Sequence, residues 1–409
     1  VNLCEATASH NQSVASSVIL YEATPSIYSQ TRKAHVPGRT GSGMDYEEPL
    51  FFQVMSYASR SEEDVIDMVS GSPDWDAPPA IADGLREYAD LGGKDFQYPP
   101  SRGMADLRAA IARRHDVDVD QVLITNGAGE ANYLAIAEAL HRGAGSEAIL
   151  TDPVYPYYPG KVNMEGGSQV FVPVDADGSL DPASVREVAS NETACIVVNT
   201  PNNPTGAVYD GDTMEELVRV AEDYDAMLIS DEVYSDFDYT GTFTSALEVP
   251  SEHRIVTRSF SKTFAITGFR IGYLIVPDAL TDRVATRHML INVSISRPAQ
   301  YAVINALEST DSSYFDANRK LVADRIDTFV EALEEMGARY DRPDGAFYVM
   351  VNIPGFDATL KNVLTLIDET GVGGMPGYGF GRAREGWIRF AMVTPRVREA
   401  ADRLIDYFG

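Results

Sequence analysis

Cysteine is almost missing from this chain: Cys4 and Cys195 are the only two in 409 residues, and they lie far apart. Cys195 sits in the apolar run Ala194-Cys195-Ile196-Val197-Val198, which reads as a buried strand, so no disulfide framework, zinc site or other metal site is expected. Long hydrophobic runs are missing too. No stretch approaches the roughly 18 to 20 apolar residues that span a bilayer, so a soluble, cytoplasmic protein is expected. Positive charge is scarce: 33 Lys and Arg stand against 61 Asp and Glu, the formal charge is −28, and only six residues are lysine, at 33, 94, 161, 262, 320 and 361. Such a field repels nucleic acid and anionic membranes, which excludes both as partners. The acidity itself has two readings, an ordinary solvated surface or a halophilic cytoplasm whose salt screens the self-repulsion.

A chain of this length exceeds one small core and is expected to form two or three units. Residues 1–43 stand apart, holding only two of the 61 acidic residues, Glu5 and Glu22, with Arg32, Lys33 and Arg39 as their basic ones. The segment is rich in Ser, Thr and Gly, has no apolar periodicity, and lacks the charged and apolar regions of a secretory signal. It is either a disordered tail or an extension read from an upstream GTG codon as Val1, with translation beginning at Met44. From about 90 to 285, β-branched runs alternate with helical patterns, and strands are expected at 121–125, 148–152, 169–174, 194–199, 227–231, 255–259 and 270–276. Met214, Leu217, Val218 and Ala221 fall on one helix face between two of them. This alternation predicts a largely parallel α/β sheet covered on both faces, with ligands at its strand ends. Beyond Pro298 the pattern changes to a long helix at 313–336, strands at 346–353 and 387–393, and helices near 357–370 and at the end. The division read is therefore an extension at 1–43, a large unit at 90–297, and a small α+β unit made of 44–89, with a short strand at 65–69, and 298–409.

Several residues carry chemistry together that none carries alone. Thr125-Asn126-Gly127-Ala128-Gly129-Glu130 leaves a strand and opens a helix, a turn that offers N–H groups to an anion but is as often plain punctuation. Asn203, in Asn199-Thr200-Pro201-Asn202-Asn203-Pro204-Thr205-Gly206, ends another strand and is placed to donate to a phenolate. Asp231, in Ser230-Asp231-Glu232-Val233-Tyr234, is costly to bury unless it meets a cation such as a protonated pyridine nitrogen. Tyr234 is placed to share the phenolate with Asn203. Lys262 lies in Ser259-Phe260-Ser261-Lys262-Thr263-Phe264, eight residues before Arg270. A loop lysine is usually a solvated charge, but here lysine is avoided, and its amine can form a Schiff base while the serines and Arg270 bind phosphate. Arg389, flanked by Trp387, Ile388 and Phe390 in an apolar strand, needs an anion: a structural carboxylate or a bound one.

In this order, Gly71-Ser72-Pro73-Asp74-Trp75, Tyr98, Arg102-Gly103, Leu107-Arg108, Asp152-Pro153-Val154-Tyr155-Pro156-Tyr157-Tyr158, Asn202-Asn203-Pro204-Thr205-Gly206, Asp231-Glu232-Val233-Tyr234, Ser259-Phe260-Ser261-Lys262, Arg270, Pro376-Gly377 and Arg389 resemble the class I/II pyridoxal-phosphate aminotransferases. The likeness runs from about Val65 to the C-terminus. It implies fold type I: a three-layer large domain with a mostly parallel seven-stranded sheet, plus a smaller α+β domain. It implies pyridoxal 5'-phosphate on Lys262, with Asp231 at the pyridine nitrogen, Asn203 and Tyr234 at the phenolic oxygen, and Tyr155 stacked on the ring where several relatives have Trp. Phosphate would sit among Ala128, Gly129, Ser259, Ser261 and Arg270, with Tyr98 reaching in from the other subunit of a homodimer. Arg389 would grip the α-carboxylate of an amino acid or 2-oxo acid, with Gly71 closing over it. Arg297 either pairs at a surface or interface or reads a second carboxylate in the neighbouring site.

The implied reaction is a ping-pong amino transfer through a Lys262 Schiff base; a C–S β-lyase or a decarboxylase of the same fold is the alternative. A regulator fused to a DNA-binding module is disfavoured by the short, unpatterned leading segment and by the charge. Tyr157, Tyr158, Phe347, Tyr348 and Tyr378 are candidates for an aromatic-tolerant pocket, or simply for packing. The high-salt reading makes a direct prediction. The thermal midpoint should fall as KCl is lowered from multimolar to about 0.1 M, where charges within about 10 Å of one another again repel; a salt-independent midpoint would remove that reading.

Overall fold

The computed structural model describes residues 49–61, 64–143 and 145–409, so the expectations for 1–43 lie outside the described residues. A short strand β1 (Ile66–Asp67) precedes seven strands that form one sheet: β2 (Val122–Thr125), β3 (Glu147–Asp152), β4 (Ser168–Pro173), β5 (Thr193–Asn199), β6 (Met227–Asp231), β7 (Arg254–Ser259) and β8 (Gly272–Ile275). Their order across the sheet is β2-β8-β7-β6-β5-β3-β4. Strands β3 to β7 run parallel, and β8 runs antiparallel to both β2 and β7.

The continuous apolar runs of β5 and β6 follow from burial on both faces. One face packs on helix Gly127–Leu140 through Ala131, Leu134 and Ala135. The other receives Met214, Leu217, Val218 and Ala221 of helix Gly211–Asp223, the face expected from their spacing. Parallel register brings Asn199, Asp231 and Thr257 side by side at the carboxyl ends of β5, β6 and β7. The strand expected at 270–276 begins at Gly272 instead: Arg270 has a left-handed backbone, φ 58°, and turns its guanidinium back toward Gly127.

A second sheet of four antiparallel strands joins β9 (Arg339–Asp341) and β10 (Tyr348–Asn352) with two later strands. Its order is β12-β13-β10-β9, with β12 at Met375–Pro376 and β13 at Ile388–Ala391. Strand β11 (Val372–Gly373) pairs in parallel with β1. Helices Ser312–Glu335 and Val397–Phe408 cover the four-stranded sheet, burying Phe329, Leu333 and Leu404 against Val349, Val351 and Phe390. Helix Leu50–Arg60 packs Val54 on Val69, Met375 and Phe380. Helices Pro79–Ala89 and Arg297–Ser309 pack Ile81, Ala302 and Val303 with Leu107, Ile124 and Phe264, on the side of the large sheet.

The turn that follows β6 is fixed by a buried ion pair. Glu232 has no exposure and accepts from Arg258 Nε at 2.9 Å, from Ser245 Oγ at 2.8 Å and from the Ala246 N–H at 2.9 Å. Glu232→Ala would leave Arg258 without its carboxylate, and is expected to destabilise the fold by about 3 kcal/mol. Denaturant unfolding checks this; a loss below about 1 kcal/mol would mean that the pair does not anchor the turn.

Candidate active site

The loops at the carboxyl ends of β3, β5, β6 and β7 meet residues of the small sheet around a cavity of about 280 Å³. Its wall brings together Gly71, Ala128, Gly129, Tyr155, Asn203, Asp231, Tyr234, Ser259, Ser261, Lys262, Arg270 and Arg389. Of the residues the resemblance assigns to the cofactor and the α-carboxylate, Tyr98 alone is elsewhere. It is 82% exposed and lies beside Arg297 in a separate surface depression. Arg297 donates to the carbonyls of Lys94 and Gln97, at 3.0 and 3.4 Å, so its guanidinium braces the loop that leads to Tyr98.

Asp231 is buried at the end of β6, where burial pushes its carboxyl above the ordinary value. Two donors oppose that push at Oδ2, Asn132 Nδ2 and the Tyr158 hydroxyl, each at 2.6 Å. Asn132 is oriented in turn by Thr257 Oγ1 at 2.6 Å. Oδ1 receives only the Val233 N–H, at 3.2 Å, and no Lys or Arg makes an ion pair with this carboxylate among the described residues. A buried anion left like this suits a cationic ligand atom.

The phosphate-sized corner is shaped by glycine. A Cβ on Gly127 would stand 2.4 Å from Arg270 Nη2, and one on Gly272 would stand 2.6 Å from the Gly127 carbonyl carbon. The close approach lets the start of helix Gly127–Leu140 face Arg270, which also reaches Ser261 Oγ at 3.4 Å. Ser259 caps the short helix Phe260–Thr263 by accepting from the Ser261 N–H at 3.1 Å, and its hydroxyl lies 2.9 Å from Ser261 Oγ. Hydroxyls, an arginine and a helix N-terminus form the donor set that a phosphate requires.

Lys262 Nζ donates to the Gly71 carbonyl across the cavity and lies 5.7 Å from the Phe347 ring centre. Burial first, and then the positive charges of Arg389 and Arg270, lower its amine to about 7, so that much of it is neutral near neutrality. Arg389, on β13, is almost fully buried. It donates to Asn203 Oδ1 at 3.1 Å and to the Val69 carbonyl, stacks on Tyr348 and Phe380 at 4.4 and 5.0 Å, and keeps an Nε without a hydrogen bond. No carboxylate pairs with it among the described residues. Asn203 is itself held by Asn199 Oδ1, which accepts from the Asn203 N–H at 2.7 Å.

Sequence reasoning missed Asn132 and Thr257, took Tyr158 only as an aromatic, and missed Phe51 and Met55, which helix Leu50–Arg60 brings to the cavity. Tyr157, Tyr158 and Tyr348 line the cavity, whereas Phe347 and Tyr378 do not. A polar Asn132 on the buried side of an Ala- and Leu-rich helix was the one available signal for the Asp231 support.

A neutral-leaning lysine, a buried aspartate open to a cation, a phosphate corner and an arginine lacking an anion fit a phosphorylated pyridine aldehyde beside a carboxylate-bearing amine. They define a cofactor-dependent enzyme on an α/β scaffold. The family model for aminotransferase class I and II matches residues 63–404, and the chain belongs to that family. Its cofactor is pyridoxal 5'-phosphate, and it is a pyridoxal-phosphate-dependent aminotransferase of fold type I. The aspartate aminotransferase of Thermotoga maritima is 33% identical over 362 residues, covering 86% of this chain and 93% of that protein. Aromatic-amino-acid aminotransferase 2 of Thermococcus litoralis is 32% identical, over 84% of this chain and 91% of that one. The solved structure of Thermus thermophilus aspartate aminotransferase with maleate superposes with a TM-score of 0.82 at 30% identity, covering 88% of this chain and 97% of that chain.

Because the Lys262 amine is lowered to about 7, cofactor capture by the stripped protein should accelerate as pH rises through 7 and level off above it. Initial rates of growth of the visible band between pH 5.5 and 9 test this, and Arg389→Gln, by removing a neighbouring positive charge, should move the midpoint upward. A rate still climbing steeply at pH 9 would show an unperturbed lysine.

Proposed function

We propose that the enzyme moves an amino group from an amino acid to a 2-oxo acid in two half-reactions of ping-pong type, with Lys262 as the residue that carries the cofactor and the proton. The observation that supports this most is Arg389: a buried guanidinium without an anion, facing the same cavity as the lowered Lys262 amine. When bound, pyridoxal phosphate supplies an aldehyde that takes up an amine and a ring that accepts electrons from the Cα of the substrate. Asp231 holds a proton on the ring nitrogen, and the donors at its Oδ2 oppose the upward push that burial gives its carboxyl. Asn203 and Tyr234 hold the phenolic oxygen, Tyr155 stacks on the ring, and Ser259, Ser261, Arg270 and the N–H groups of Ala128 and Gly129 hold the phosphate.

Arg389 receives the α-carboxylate, with Gly71 beside it, and orients the Cα–H toward Lys262 Nζ. Lys262 Nζ, neutral in a large fraction near pH 7, accepts that proton. The working unit is a homodimer in which Tyr98 of one copy completes the phosphate site of the other; its 82% exposure in a single chain supports this. The names of the relatives favour aspartate and aromatic amino acids as donors. Among the described residues no helix is long and apolar enough to cross a membrane. The charge of −28 with only six lysines supports a cytoplasm of high ionic strength.

Lys262→Ala should abolish the visible absorption of the reconstituted protein and lower turnover at least about a thousandfold. In the parent, amino acid alone should release one equivalent of 2-oxo acid per site, as the first half-reaction requires. Turnover retained in the variant would overturn the role of Lys262, and pyruvate with ammonia released catalytically in the parent would overturn amino transfer as the reaction.

A further inference from the structure

Two phenol groups face each other beneath Arg389. The Tyr234 and Tyr348 hydroxyls are 2.9 Å apart, with the rings edge to face at 88° and both side chains buried. Neither hydroxyl has another hydrogen-bond partner among the described residues. Each has one proton, so if Tyr234 gives its own to an anion in the cavity, Tyr348 is the group left to donate to the Tyr234 oxygen. Tyr348 is held for this by its surroundings. Its ring lies under the Arg389 guanidinium at 4.4 Å, and its hydroxyl stands where a side chain on Gly71 would begin, 2.1 Å from that Cβ position.

We propose that Tyr348 is a positioning residue that donates to Tyr234 and so strengthens the grip of Tyr234 on the phenolic oxygen of the cofactor. The proposal rests on the reading of Tyr234 given above. A donor that is itself hydrogen-bonded through its oxygen becomes a stronger donor. Stronger donation draws charge from the phenolic oxygen, which then holds the proton on the lysine-bound nitrogen less firmly. Tyr348 therefore sets, through Tyr234, the pH at which the visible band of the loaded enzyme changes. The other charged and titratable groups around the pair are Arg389 on β13, Tyr155 and Tyr158 after β3, Asp231 on β6 and Lys262 after β7.

The test is a spectrophotometric pH titration of the holoenzyme. Tyr348→Phe keeps the ring under Arg389 and removes only the oxygen, and should raise the midpoint of the visible band by about 0.5 unit. Tyr234→Phe should raise it further, and Tyr234→Phe/Tyr348→Phe should match Tyr234→Phe alone, because Tyr348 acts through Tyr234. Gly71→Ala, whose methyl would displace the Tyr348 hydroxyl, should shift the midpoint the same way and serves if Tyr348→Phe folds poorly. An unchanged or lowered midpoint in Tyr348→Phe, or a full additional shift in the double variant, would overturn the proposal. No shift in Tyr234→Phe would instead overturn the reading of Tyr234 beneath it.

Discussion

The rest of the site is organised around one buried carboxylate. Asp231 is held at the end of a strand that is inaccessible along its whole length, and an anion there is tolerable only if its surroundings are arranged in advance. The register of β5, β6 and β7 performs that arrangement. Thr257, one strand over, orients Asn132, which reaches across from the helix that also opens the phosphate corner. On the other side, the Asp231 carbonyl accepts from Asn199 Nδ2 at 2.8 Å, and Asn199 in turn fixes the backbone of Asn203. The groups read as holding the ring nitrogen, the phenolic oxygen and the phosphate therefore lie one to three hydrogen bonds or bonded turns from a single strand end. A shift in one would be felt by the others, and Glu232, packed below, keeps the turn from moving.

Much of this was legible in the sequence for a physical reason. Strands covered on both faces must be written as unbroken apolar runs, so β5 and β6 announced themselves, and the polar residues that end them had to be either errors or ligands. The same logic made Arg389 conspicuous, since a guanidinium among Trp387, Ile388 and Phe390 is expensive without a task. What stayed hidden depends on contacts distant in sequence. Helix Leu50–Arg60 reaches the cavity because β1 pairs with β11, about 300 residues later. Asn132 was hidden because a polar side chain inside a helix gives no hint of its acceptor. Arg270 looks like a strand residue in the sequence because apolar periodicity is blind to a left-handed turn two residues before a strand.

The avoidance of lysine sharpens the chemistry. Arginine keeps its charge under nearly all conditions, and this chain uses it for most of its ion pairs among the described residues and places it at the corner read as holding phosphate and at the position read as gripping a carboxylate. Lysine is retained at the cavity position read as needing an amine able to lose its proton. The two nearby arginines, read as anion holders, do double service there: they add to burial in lowering the amine.

Arg389 grows from the small sheet, yet it hydrogen-bonds Asn203, which belongs to a loop of the large one, and the Val69 carbonyl just beyond β1. The residue read as recognising the substrate carboxylate is thus also a tie between the two sheets. A ligand that engages both guanidinium edges draws on hydrogen bonds that now hold the two sheets in register. On that reading carboxylate recognition and the relative setting of the sheets would be one equilibrium, and an amine without a carboxylate, however well it suits the rest of the cavity, would have no purchase on it.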